Sequence, residues 1–135
     1  MSQENVEAFK RALDAGTRGD FEALLKDVDP QLEWHPALAT LVGGEATVHR
    51  GRQGARAALQ DLSEAFAELH LEISEIRDLD DRIVAIGHMR GRGTKSGAEI
   101  ESPWAYLVEF NNGKAIRVRA YLNPKEALEA AGLSE

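Results

Sequence analysis

Apolar residues open the chain at helical spacing. Val6, Phe9 and Leu13 recur at every third or fourth position, with Glu7, Lys10, Arg11 and Asp14 between them. That stripe predicts an amphipathic helix from about Gln3, with Ser2 as its N-cap and a stop between Gly16 and Gly19. Asp20 then caps a short second helix carrying Phe21, Leu24 and Leu25, and Asp29-Pro30 turns the chain into a short strand over 32–35. Residues 36–48 read as irregular, with Gly43-Gly44 in the middle. A third helix follows Gly51, with an apolar stripe of Ala55, Leu59, Leu62 and Phe66 and a wet side of Arg52, Arg56, Gln60 and Glu64.

From Leu69 the period changes to two: Leu69, Leu71 and Ile73 alternate with His70, Glu72 and Ser74, the mark of a strand with one buried face. Asp80-Asp81 makes a turn, and further strands are predicted over 83–92, 99–110 and 115–122. Glycine-containing residues 93–97 and the tight turn Asn111-Asn112-Gly113 join them. Asn123 and Pro124 supply the cap and first position of a last short helix, which Gly132 ends. Helices come first and antiparallel strands later, an α+β arrangement. The last connections are too short for parallel crossovers.

Length and composition narrow the class. A chain of 135 residues with no internal repeat, linker or low-complexity stretch reads as one domain over 1–135. Its net charge of −7 argues against nucleic-acid and anionic-membrane partners, which reward clustered Lys and Arg. Without cysteine there is no disulfide framework, no thiol nucleophile and no thiolate ligand. The N-terminus lacks the basic start and apolar run of a signal peptide, and no apolar stretch approaches the roughly 20 residues of a membrane span. A cytoplasmic protein is expected.

Several phrases along this order carry a resemblance. Arg18-Gly19-Asp20-Phe21-Glu22-Ala23-Leu24-Leu25, Asp29-Pro30-Gln31-Leu32-Glu33-Trp34-His35-Pro36, His49-Arg50-Gly51-Arg52-Gln53-Gly54 and the segment from Asn112 to Tyr121 follow the helix joint, first strand, third-helix entry and final hairpin of the NTF2-like superfamily. The SnoaL-like, polyketide-cyclase-like branch is the nearest likeness, and it covers nearly the whole chain. The resemblance implies a cone: a curved antiparallel sheet wrapped by about three N-terminal helices, plus the short C-terminal helix, around one mostly apolar pocket. It also implies homodimers through the outer sheet face. It implies no single reaction, because cyclases, isomerases, epoxide hydrolases, dehydratases and noncatalytic binders share the fold.

Ketosteroid isomerases of this fold use a carboxylate base with tyrosine and protonated-acid donors. Aligned to that pattern, the base position falls on Trp34, or on His35 one residue on. The first-helix tyrosine position falls near Ala12, and the third-strand acid near Tyr106. The carboxylate base is missing. The same alignment turns Val84, Ile86, His88 and Arg90 toward the pocket, together with Trp104, Tyr106, Val108 and Phe110 and with Val118, Ala120 and Leu122. His88 is then the candidate general base or acid and Tyr106 the donor to a developing oxyanion, the two catalytic candidates. Trp34, His35, His49, Arg90, Trp104 and Val118 are the candidate ligand-binding residues, with His35 and His49 meeting at the mouth. Against these stand plainer readings: His88 and Arg90 on a wet sheet rim, and the aromatics as wall.

No metal site is read, because two histidines would need a third ligand, and no cofactor is expected. Arg18-Gly19-Asp20 reads as a helix end followed by a cap. The segment from Gly91 to Ser96 is a hairpin, not a phosphate loop, and Asp78, Asp80 and Asp81 form a solvated turn. On the opposite face, Ala105, Leu107, Glu109, Arg117, Arg119 and Tyr121 suit a homodimer in which Glu109 meets a partner's arginines. Three functions stay open: an enzyme acting on a small hydrophobic molecule by isomerase, cyclase or hydrolase chemistry, a noncatalytic binder of such a molecule, or a dimeric interaction module.

Overall fold

A computed structural model describes residues 2–36 and 48–133; most of the segment read as irregular, with Gly43-Gly44, lies outside the described residues. Helix α1 spans Ser2–Thr17 and α2 Phe21–Leu25. Strand β1 runs Val28–His35, the short β2 is His49–Arg50, and α3 covers Gly51–Ala65. Then come β3 (Phe66–Asp78), β4 (Arg82–Gly93), β5 (Glu99–Asn111), β6 (Lys114–Tyr121) and α4 (Pro124–Ala130). Both expected caps form: Asp20 accepts from the Ala23 amide and Asn123 from the Lys125 amide. Ser2 is itself the first helical residue. The β5–β6 turn places Asn112 and Gly113 at φ 53° and 80°, the left-handed pair that a two-residue hairpin loop demands. No helix among the described residues is long and apolar enough to cross a membrane.

The strands form one curved, open sheet in the order β2-β1-β6-β5-β4-β3. All neighbouring pairs are antiparallel except β1 and β6, which run parallel. Strand β1 also begins earlier than its apolar pattern suggests. Pro30 and Gln31 fall in a break of the β1–β6 register between Val28 and Glu33, where the missing amide of proline costs no ladder bond. Helices α1 and α3 cover the inward face. Leu32, Ile83 and Met89 are fully buried there, each contributing about 2 kcal/mol of apolar burial. Asn5, a buried polar residue of α1, donates from Nδ2 to the Asp80 carbonyl at 2.7 Å and ties the helix to the β3–β4 turn.

One expectation for the sheet faces needs correcting. Residues directly opposite in an antiparallel pair share a face, and Tyr106 pairs with Ala85, Trp104 with Gly87 and Val108 with Ile83. The inward set of β4 is therefore Ile83, Ala85, Gly87 and Met89. Val84, Ile86, His88 and Arg90 face outward, and His88 and Arg90 are exposed. On that outer face, Ala105, Leu107 and Val84 are buried beneath Ala127 and Leu128 of α4 and the following Ala131. Glu109 finds its arginines within the chain. Arg50 and Arg117 reach Glu33 at 2.9 and 3.6 Å, and Arg117 and Arg119 reach Glu109 at 3.1 and 2.9 Å.

Strand β3 lies at the open edge and carries two bulges, between Ala67 and His70 and between Ile73 and Glu75. Each is matched by a glycine on β4. At the first, Phe66 and Leu69 both crowd the space over Gly91. At the second, a Cβ on Gly87 would overlap the Glu72 carbonyl oxygen. Bulges bend and twist an edge strand away from further pairing. Gly87→Ala is expected to destabilise the fold by roughly 3 kcal/mol in urea unfolding, since backbone must move to admit the methyl group. A loss below about 0.5 kcal/mol, the range of an ordinary surface change, would show that the strands are not so closely apposed.

Candidate functional site

The inward face of the sheet is not filled. A cavity of about 500 Å³ lies between it and the helices, within the range of small-molecule sites. Its origin is in α1, which presents Ala8, Ala12 and Gly16 one turn apart on the side that faces the sheet. Those small residues leave the room that Phe9 and Leu13 close at the flanks. Leu59 and Leu62 of α3 form a second wall, and Trp34, Tyr106, Val108, Phe110 and Val118 the floor.

Tyr106 is the polar group set deepest. Phe9, Trp34 and Trp104 meet its ring edge-on, with centroids 6.2, 6.4 and 5.7 Å away. Burial pushes its hydroxyl pKa up to about 12, opposed in part by the Trp104 indole N–H. That N–H is itself buried and falls short of hydrogen-bond geometry with any partner. Tyr106 is therefore a neutral hydrogen-bond donor across the physiological range and a poor source of protons.

The rim is polar. Thr17 Oγ1 donates to the Leu13 carbonyl and Ser63 Oγ to the Gln60 carbonyl. Asp27 pairs with Arg11 at 3.1 Å, and Arg18 sits between Asp14 and Asp20 at 3.0 and 3.5 Å. Glu68, exposed at the first bulge of β3, completes the ring of lining residues.

Among the residues expected to bind or act, Trp34, Tyr106 and Val118 line this cavity. Ala12 does so too, so all three positions aligned to isomerase chemistry converge, although two of them carry nothing to titrate. Trp104 is buried behind Tyr106. His35 shares the outer face with Glu33, 3.3 Å away, whereas His49, paired across β1–β2 with Trp34, turns toward α3 and lies 4.0 Å from Asp61. The two histidines do not meet. His88 and Arg90, on the outer face, are cut off from the cavity by the sheet itself. The sequence pattern does not mark the rim: Arg18 reads as part of a helix end, and Glu68 precedes the alternation that begins at Leu69. The signal for Glu68 was Gly91, because an isolated glycine inside a strand pattern marks a bulge opposite.

Residues 6–118 match the SnoaL-like domain family. The chain belongs to the SnoaL-like family. This SnoaL-like protein also resembles solved NTF2-like structures along its length. An NTF2-like protein from Burkholderia xenovorans is 29% identical, with a TM-score of 0.77 and 97% of each chain covered. TerC, crystallised with polyporic acid, is 22% identical with a TM-score of 0.76, covering 93% of this chain and 96% of its own. A SnoaL-like, polyketide-cyclase-like protein from Jannaschia sp. is 19% identical with a TM-score of 0.77, covering 96% and 92%. At the last two identities the likeness concerns fold alone. No curated protein matches the sequence.

The raised tyrosine pKa carries a sign. Below the ordinary value of 10.0 the phenol is neutral folded or unfolded. As pH rises from there toward 12, the unfolded chain ionises first and folding stability falls. A phenolate absorbance titration of the folded SnoaL-like protein should show a step near 12 that is absent from Tyr106→Phe. Identical titrations of the two proteins would mean that the hydroxyl is not desolvated.

Proposed function

We propose that this SnoaL-like protein binds a small, predominantly apolar molecule in the cavity beneath α1, with the Tyr106 hydroxyl donating a hydrogen bond to an oxygen of that ligand. One observation carries the reading: a cavity of about 500 Å³ walled mostly by apolar side chains, with the neutral Tyr106 hydroxyl in its floor. Recognition of this kind takes its affinity from apolar burial and its orientation from one or two polar contacts. The family assignment supports it, as does the fold shared with a neighbour crystallised with polyporic acid.

The same geometry bears on turnover. His88 lies on the far side of the sheet, tryptophan holds the isomerase-type base position, and among the described residues no histidine lines the cavity to drive a proton transfer. Chemistry of cyclase or isomerase type would instead rest on Tyr106 holding a carbonyl or enolate oxygen.

Cavity occupancy can be tested with N-phenylnaphthylamine, a neutral apolar dye that fluoresces on leaving water. The wild-type chain should bind it. Ala12→Trp, which places an indole inside the cavity, should weaken binding at least about tenfold, the cost of losing one well-filled apolar contact area. Its unfolding midpoint should stay at or above the wild-type value. Unchanged dye affinity in a folded Ala12→Trp protein would move the binding site elsewhere. His88→Ala should change neither dye affinity nor any turnover found in a substrate screen; loss of turnover would return His88 to the mechanism.

A further inference from the structure

Glu68 occupies a conformation that suits another residue. Its φ of 56° is left-handed, and it leads the first bulge of β3, where Glu68 and Leu69 together oppose Gly91. Glycine is the usual occupant of that place, because an L side chain there crowds its own backbone. Nothing in the strand pairing asks for an acid. What the conformation does is set the side chain on the rim of the cavity. Backbone strain of this kind is found where a side chain is held for a task.

The surrounding charges are paired or balanced by neighbours of opposite sign. Arg18 is shared by Asp14 and Asp20, and Asp27 is taken by Arg11. On the other side of Glu68, a shallow groove holds Arg90, Arg92, Glu99 and Glu101, whose charges cancel, with Arg92 and Glu99 3.7 Å apart. Among the described residues Glu68 has no hydrogen bond or ion pair, unlike every other charged side chain on the rim. It is left as an unneutralised acceptor beside an apolar cavity.

Resting on the cavity reading above, we infer that Glu68 sets the charge of the ligand. The mouth admits neutral or cationic molecules that present a hydrogen-bond donor to this carboxylate, and it turns away anionic ones. Glu68 is thus a specificity-determining residue, complementary in place to Tyr106: an acceptor at the mouth and a donor at the deep end. A ligand that satisfies both is an apolar body with an oxygen at one end and a hydroxyl or amino group at the other.

The experiment uses a matched pair of dyes on the full chain: N-phenylnaphthylamine and its sulfonate, anilinonaphthalene sulfonate, which share one aromatic body and differ by a negative charge. Wild type should prefer the neutral dye. Glu68→Gln should raise affinity for the sulfonate about fivefold relative to the neutral dye at low salt, the scale of one partly screened charge at a protein surface; the amine N–H common to both dyes cancels in that ratio. That gain should shrink as salt is added, which a merely structural change would not do. An unchanged preference between the dyes, with the neutral one still bound, would overturn the role of Glu68 and leave the cavity reading intact. Failure of wild type to bind the neutral dye would overturn both. Glu68→Gly should raise the unfolding midpoint by about 3 °C, from relief of the left-handed side chain, while showing the same gain in sulfonate affinity. A lower midpoint would overturn the claim that the carboxylate is held against the preference of its backbone.

Discussion

Everything in this fold turns on the ring of Tyr106. It receives Phe9 from α1, Trp34 from β1 and Trp104 from its own strand, all edge-on, in contacts worth about 1 kcal/mol each beyond their burial. The Phe9 contact fixes how far α1 stands from the sheet. Because the neighbouring inward positions of α1 are alanine and glycine, that separation becomes open space instead of core. One cluster therefore does two things that usually compete: it anchors the helix layer and leaves a cavity beside the anchor. The same packing strips water from the phenol, so its pKa and its position are consequences of a single arrangement.

Much of the fold was legible because it rests on local rules. Capping residues Asp20 and Asn123, the Asn112-Gly113 turn and the change of period at Leu69 each specify their structure through short-range chemistry. The faces of β4 were not legible in that way. Its sequence is apolar at both parities, Ile83 and Ala85 on one and Val84 and Ile86 on the other, because α4 covers part of the outer face. Alternation decides a face only where one side meets water. A helix added after the sheet is complete removed that signal, and His88 and Arg90 went to the pocket on paper. The true parity was carried by the glycines. Gly87 and Gly91 mark where β3 bulges against β4, and only a strand facing inward at 83, 85, 87 and 89 meets the bulges there.

The positions aligned to isomerase chemistry show which part of a resemblance transfers. Ala12, Trp34 and Tyr106 do converge on one cavity, so backbone placement carried over where side-chain chemistry did not. A tryptophan at the base position enlarges the apolar wall and supplies no anion there. The remaining deep polar group is one that stays protonated. The cavity's interior therefore offers hydrogen bonding and apolar surface, and its ionised side chains, Arg18, Asp27 and Glu68, stand at the rim.

The rim and the sheet edge turn out to be one structural problem. An unprotected edge strand of 13 residues invites pairing with another chain, and β3 counters this with bulges and with charged residues along its length. Edge protection alone accounts for His70, Glu72 and Glu75, which sit at regular exposed positions. It does not account for Glu68, because glycine would form the same bulge with less strain and the other charges would still guard the edge. The bulge is also what reverses the alternation, so that Phe66 and Leu69 both face inward while Glu68, the extra residue between them, swings to the mouth. The feature that closes the edge to other strands thus determines which side chain stands at the entrance to the cavity.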